Sequence, residues 1–480
     1  MEAFADLQPS ALWAHFARLC ALPRGAGQES AAIDAIDAWA QDRGFSTERD
    51  PAGNLLVTTP GTKGAPIALQ AHVDMVCVPE QSFPLPIPVV KRDDWLHASS
   101  STLGADNGIG VAIAMAAAET LGHDHPLDLL FTVGEEVGLI GAMNCTITGL
   151  RAKRLINLDA EEPGSVTVAC AGGGEESLTL TLDRMPPHRA PGGDLTLQLS
   201  VSGLQGGHSG LDIARSGANA IQILAQALWR LRDHVAYGLA SVRGGSADNV
   251  IPNEAEAVLV FGAADDRDFA AALEQIKAQV AQRYGALEPN IQWCVESTAT
   301  PSTIMRTQCR DRLLNLILAT PHGPQARFPQ QPTDIATSAN LAIVRTEGDL
   351  ATVLISSRAA STQALFDLRE RVRALAVLAG PNASFRSTDP YPGWDGAWDA
   401  PLVNAAIAAW NEAGYPEATR QRIHAGLECG ALSARFPDVE MISVGPRILG
   451  AHTTSEKVSI TSVQEFWRFL LSLLATLRTG

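Results

Sequence analysis

Seven side chains in this sequence are of the types that hold divalent cations or move protons, and they arrive in short groups. They are His72 and Asp74 in AHVDMV, Asp106 in GADNGIG, Glu135 and Glu136 in FTVGEEVG, Asp159 in NLDAEE, and His452 in GAHTTSE. Imidazole nitrogen and carboxylate oxygen are donors that zinc takes, and a catalytic zinc keeps one position for water. Two cations about 3.5–4 Å apart need a carboxylate that bridges them and further ligands for each. Asp106 can be that bridge, with His72 and Asp159 on one ion and Glu136 and His452 on the other. Asp74 lies two residues after His72 and on a strand projects to the same face. There it can accept the second imidazole N–H and set the tautomer. Glu135 and Glu136 diverge if the segment is extended, so one can bind metal while the other faces the water as general base. Side by side they repel unless a cation stands beside them.

Each group alone has a plainer explanation. A single HxD is an ordinary polar strand edge, a Glu-Glu pair a solvated turn, and Asp106 a carboxylate at a helix N-terminus. The joint set is harder to dismiss: five candidate ligands and a base, in the right chemical mix.

These residues fall at the ends of the segments that must position them. IALQAHVDMV, LDLLFTV and RLINLD are short apolar runs with β-branched residues, alternating with helices expected at Ser10–Cys20, Glu29–Arg43 and 106–121. The alternation indicates an α/β domain with a mainly parallel sheet covered by helices. In such sheets ligands gather beyond the C-terminal strand ends. DRMPPHRAPGGD (183–194) and STDPYPGWDGAWDAP (387–401) punctuate the chain with Pro and Gly. Between them the order becomes β-α-β-β-α-β, with its first helix expected at 211–231, and a similar order follows. We expect a discontinuous catalytic domain, 1–187 and 395–480, interrupted at 188–394 by an inserted α+β lid of two ferredoxin-like halves. Three consecutive domains is the alternative, disfavoured because 395–480 looks too small for an open α/β sheet.

The 480 residues carry 36 Lys and Arg against 52 Asp and Glu, a formal net charge of −16. Such a surface disfavours nucleic acid and anionic membranes as partners. The first residues lack the basic flank and apolar run of a signal peptide, and no stretch is long enough to span a bilayer. Seven scattered cysteines without a CxxC pair read as reduced thiols in the cytoplasm. There is no HExxH or Walker loop. GGHSGL lacks the last Gly of a nucleophile elbow, because Leu211 stands there.

AHVDMV, GADNGIG, FTVGEEVGLIGA, NLDAEE, GGHSG, HAGLECG and AHTTSEKVSI together resemble the aminoacyl-histidine dipeptidases, the bacterial peptidase D group of carnosinase-like, co-catalytic zinc metallopeptidases. The resemblance covers nearly the whole chain. It implies a cofactor of two Zn²⁺, with Co²⁺ or Mn²⁺ as substitutes. His72 and Asp159 would hold one ion and Glu136 and His452 the other, Asp106 would bridge, Asp74 would orient His72, and Glu135 would be the base. It further implies that His208 in GGHSG stabilises the oxyanion, although as a loop residue it could simply cap the next helix. Asn249 and Arg358 would bind the substrate carboxylate (for Arg358 the plainer role is a surface ion pair), and the backbone at Gly426 would line the terminus pocket. His424 and Glu428 receive no role. The implied activity is hydrolysis of Xaa-His and other short dipeptides by a homodimer, though a doubled lid could replace a partner's. The alternatives are an N-acyl amino acid deacylase on the same scaffold and a non-catalytic binding protein.

Overall fold

The computed structural model describes residues 2–187, 190, 192–215, 218–415 and 417–479. The chain divides into two compact units, Met1–Cys170 with Tyr391–Gly480, and Ala171–Pro390. The second unit begins before the linker at 183–194, and His188, where the sequence boundary was set, lies outside the described residues with Arg189 and Pro191.

The first unit is built on a nine-stranded sheet. Leu127–Thr132, Ile67–His72, Arg154–Asn157 and Glu440–Ser443 run parallel side by side at its centre. Antiparallel neighbours flank them, Leu55–Thr58 on one side and Ser165–Cys170 on the other. The sheet is thus parallel where the chemistry-bearing residues leave it and mixed toward its margins. Alternation along the strands divides the side chains between two cores. Ile67, Leu69 and Ala71 join Trp13, Phe16, Ile109, Trp410 and Phe466 on one face. Ala68, Leu130 and Leu155 join Cys429 and Leu432 on the other. The helix Ala105–Leu121 is buried almost all round from Ala105 to Ala118. Its run of alanines and glycines lets it pack closely, each side chain filling little volume. No helix among the described residues is long and apolar enough to cross a membrane.

The second unit carries a nine-stranded antiparallel sheet with a symmetry that chain order conceals. Asp194–Ser202, Ala220–Leu231, Tyr237–Gly244, Ala255–Gly262, Asp266–Tyr284 and Gln292–Ser297 form one β-α-β-β-α-β half, its strands arranged 4-1-3-2. The other half has strands Gln331–Glu347, Leu350–Ala359 and Ala383–Ser387, helices Thr307–Ala319 and Thr362–Leu378, and a first strand from far upstream, Gly172–Thr181. The two halves meet where Tyr237–Gly244 pairs with Gln331–Glu347. One half is therefore inserted within the other, so Gly172–Thr181, assigned by sequence to the catalytic domain, belongs to this sheet. The helix expected at 211–231 starts only at Ala220, because the Asn219 side chain accepts from the backbone N–H of Ile221 and Gln222 and caps it there.

Candidate metal centre

Three adjacent parallel strands and two loops of the first unit deliver the candidate ligands. Ile67–His72 ends on His72, Leu127–Thr132 runs out toward Glu135 and Glu136, and Arg154–Asn157 toward Asp159. Asp106 stands at the kinked entry of Ala105–Leu121, where its ψ of 111° is not helical. His452 comes from a loop and has φ +63°, a left-handed conformation that costs an L-residue about 1–2 kcal/mol. Functional sites are where such strain is usually held.

His72 Nε2 lies 3.1 Å from Asp106 Oδ1 and 3.2 Å from Asp159 Oδ1. His452 Nε2 lies 3.1 Å from Asp106 Oδ2 and 3.0 Å from Glu136 Oε2. The two oxygens of Asp106 therefore face two separate imidazoles. Ligand atoms of His72, Asp106 and Asp159 gather within 4.8 Å of one another, as do those of Asp106, Glu136 and His452, and those of His72, Glu135 and Glu136. Behind this cluster Asp74 Oδ1 stands 3.4 Å from His72 Nδ1. Its two oxygens also accept the backbone N–H of Glu135 at 3.1 Å and of Glu136 at 3.0 Å. One buried carboxylate thus steers both the imidazole and the Glu135–Glu136 turn.

The electrostatics fit a pair of dications. Burial alone would lower the His72 imidazole, but the charge of Asp159 and bonds to Asp106, Asp159 and Asp74 hold it well above its ordinary range. Burial would also lower His452, yet bonds to Asp106 and Glu136 push it up to about 11. Burial raises Glu135 well above the carboxylate range, and it raises Glu136 as well. Burial likewise pushes Glu161 up to about 8, with the charges of Asp106 and Asp159 adding to it. Carboxylates crowded beyond what two imidazoles can neutralise are groups a cation would relieve. Among the described residues, the buried Glu136 Oε1 has no hydrogen-bond partner, as a ligand oxygen awaiting an ion would be.

Several supporting residues escaped the sequence reading. The buried Glu456 accepts the backbone N–H of Leu103, Gly104, Ala105 and Asp106 at 2.7–3.3 Å, which fixes the loop carrying Asp106. Arg24, also buried, donates to Gly104 O and Val73 O. Gly104 itself has φ +68°, and a Cβ there would collide with the Arg24 guanidinium and the Met75 thioether. Asn107 Nδ2 donates to Asp159 Oδ1. Asn54 accepts the Val133 N–H and donates to Gly141 O, bracing the turn that bears Glu135. The only signals in sequence were an acid shortly after His452 and a lone Asn after Gly53.

Within the second unit, His208, Asn249 and Arg358 also come together. Ser209 N donates to Asn249 O at 2.8 Å, and Arg358 Nη2 donates to Ser209 Oγ at 3.4 Å. His208 Nδ1 accepts the N–H of Gly210 and Leu211 at 3.2 and 3.1 Å, so the imidazole caps its own turn rather than the helix Ala220–Leu231. An accepting Nδ1 leaves the proton of a neutral ring on Nε2. Arg358 is buried rather than a surface side chain. In the first unit, Gly426 packs so that a Cβ would meet the Tyr391 ring at 3.0 Å.

An open α/β sheet with acids and imidazoles converging at its strand ends is the framework of a metal-dependent hydrolase. The chain belongs to peptidase family M20/M25/M40, whose pattern matches residues 68–476. It is 33% identical over 492 aligned positions, 99% of each chain, to the cytosol non-specific dipeptidase of Escherichia coli (strain K12). The structure superposes on the aminoacylhistidine dipeptidase of Vibrio alginolyticus with a TM-score of 0.80 at 31% identity, covering 98% of both chains. The aminopeptidase PepT of Bacillus cereus shares the fold at a TM-score of 0.56 and 16% identity, over 98% of this chain and 99% of that one.

Proposed function

We propose that this protein is a cytosolic dipeptidase that hydrolyses Xaa-His and other short dipeptides at a dizinc centre. The observation that carries the reading is the shared carboxylate of Asp106, with one imidazole 3.1 Å from each oxygen. Asp106 would bridge, His72 and Asp159 would hold one ion, and Glu136 and His452 the other. Divalent cations in such a site supply Lewis acidity and lower the pKa of a coordinated water toward neutrality.

The residues around it do the rest. Glu135 takes the proton of the attacking water and returns it to the leaving amine as the peptide bond breaks. Its burial, which raises its proton affinity, suits that task. Asp74 holds the Glu135 backbone N–H and the His72 ring, so base and ligand keep one fixed spacing. His208, its proton on Nε2, donates to the oxygen that gains charge in the transition state. Arg358 and Asn249 bind the substrate carboxylate, and a planar guanidinium suits it by donating two parallel bonds. The Gly426 backbone would line a terminus-binding pocket, the role the family resemblance implies for it.

The names of the two full-length relatives support dipeptides as the substrate class. All seven cysteines are free, and Cys20, Cys145, Cys170, Cys309 and Cys429 are buried, in keeping with a reducing compartment. Zinc is the metal of choice, with cobalt and manganese able to occupy the same donors. A homodimer is the assembly we expect; a monomer in sedimentation velocity would favour the doubled second unit as a partner's substitute. The deciding experiment supplies β-alanyl-histidine, other Xaa-His dipeptides and N-acetyl amino acids to the zinc-loaded enzyme. Free histidine should be released fastest from the dipeptides, and preferential acetate release would reject the proposal.

A further inference from the structure

A fully buried carboxylate lies beneath the metal centre and takes no part in the reaction described above. Glu428 opens the short helix Glu428–Arg435 and has 0% of its surface exposed. Among the described residues no cation pairs with it. Its Oε2 accepts from Gln70 Nε2 at 2.5 Å and from Thr132 Oγ1 at 2.7 Å, while its Oε1 has no hydrogen-bond partner. Gln70 Nε2 also lies 3.1 Å from Thr132 Oγ1, and Gln70 Oε1 accepts from Asn157 Nδ2 at 2.6 Å. Asn157 Oδ1 in turn accepts the backbone N–H of Asp159 at 3.3 Å.

The four residues form one buried polar layer across three adjacent strands. Gln70 is two residues before His72, Asn157 two before Asp159, and Thr132 ends the strand that leads to Glu135 and Glu136. Every strand that delivers a group to the centre from the sheet is tied into the layer, and Glu428 is its only charged member. An unpaired buried carboxylate is costly, and burial pushes Glu428 up to about 7. Two short bonds onto one oxygen are what a charged acceptor makes.

We propose that Glu428 is a positioning residue for the metal centre: by drawing Gln70 and Thr132 onto one oxygen it holds His72, Asp159 and the Glu135–Glu136 turn at the spacing the ions require. The idea rests on the dizinc reading of the site. It extends that reading to a residue that touches neither ion nor substrate.

Glu428→Gln keeps the shape and removes the charge, and its new NH2 must either confront the two donors or occupy the unpartnered Oε1 position. In zinc competition with a chromophoric chelator, the variant should bind about 10-fold or more weakly than wild type, the usual effect of losing a partner behind the ligands. At saturating zinc its kcat on a cleaved dipeptide should fall about 10-fold with KM within about twofold, whereas a purely structural role would lower the melting temperature and leave both constants in place. The exchange Gln70→Glu with Glu428→Gln returns one carboxylate and one amide to the same bond, and should restore zinc affinity to within about threefold of wild type. Zinc affinity and kcat of Glu428→Gln within about twofold of wild type would overturn the proposal. So would a folded exchange variant no better than Glu428→Gln. If Glu428→Gln does not fold, Thr132→Val, which removes one donor, must still weaken zinc binding by about threefold or more; unchanged affinity would overturn the proposal as well. The zinc measurement needs no substrate, so it decides the role of Glu428 even if wild type cleaves no dipeptide and the functional reading fails.

Discussion

Asp106 and His452 are 346 positions apart in the chain and 3.1 Å apart in space, His452 Nε2 against Asp106 Oδ2. The loop holding His452 adopts a strained backbone to reach that place. His452→Ala removes the imidazole proposed as a ligand of one ion. We expect metal content, by plasma mass spectrometry, to fall from about two ions per chain toward one, with kcat down about 10²-fold or more. Unchanged metal content would mean that the second ion has been assigned to the wrong residues.

Glu135 and Glu136 are neighbours that face different groups. Glu136 faces His452 and Asp106, whereas Glu135 gathers with His72 and Glu136. Glu135→Gln should therefore keep both metals and its zinc affinity while losing about 10²–10⁴-fold in kcat. A variant within threefold of wild type would assign the base to another group.

Removing and restoring the metal tests the centre as a whole. Dialysis against a chelator should abolish hydrolysis, and zinc added back should recover it. The melting temperature should rise with zinc concentration, because a ligand that binds only the folded state stabilises it by about 2.7 kcal/mol at 100 times its Kd. Activity that survives exhaustive chelation would exclude a metal mechanism.

Arg358 is buried in the second unit beside Ser209. If it binds the substrate carboxylate, Arg358→Ala should raise KM for free dipeptides by about 10–100-fold, the ~1.5–3 kcal/mol of a bond to a charged group. Dipeptide amides, which lack that charge, should show little change. Equal losses on acids and amides would assign Arg358 to packing.

His322, in the second unit, makes stability depend on pH. Its Nε2 is shut from solvent with no partner among the described residues, and burial lowers its pKa from 6.5 to about 4. The unfolded chain therefore binds a proton that the folded chain refuses between pH 6.5 and 4. The stability contributed by the neutral ring is full above pH 6.5 and is lost as pH falls through that window. At pH 5 the loss is up to about 2 kcal/mol. Urea titrations at pH 7 and pH 5 should show His322→Asn losing less stability than wild type on acidification. Parallel losses would contradict the assignment.

How much of this was legible differs from residue to residue. His72, Asp74, Glu135, Glu136 and Asp159 were visible because each closes a short apolar strand, and parallel strands release their side chains on one rim. Glu456 was not, since a lone acid in TTSEKV looks like any solvated loop residue until four backbone N–H groups are seen to converge on it. The repeat in the second unit is readable in element order, but the membership of Gly172–Thr181 in that sheet is not. Its alternating pattern records one buried face and not which strand it pairs with.

The sequence by itself determined the kinds of donor, the strands that end in them and the family to which the chain belongs, because periodicity and residue type are local properties. Only the tertiary structure decided that the two oxygens of Asp106 face separate imidazoles, that one half of the second unit is threaded through the other, and that Glu428 lies under the centre. Those are relations between segments hundreds of residues apart, set by strand pairing and burial, and no local pattern encodes a distance across the fold.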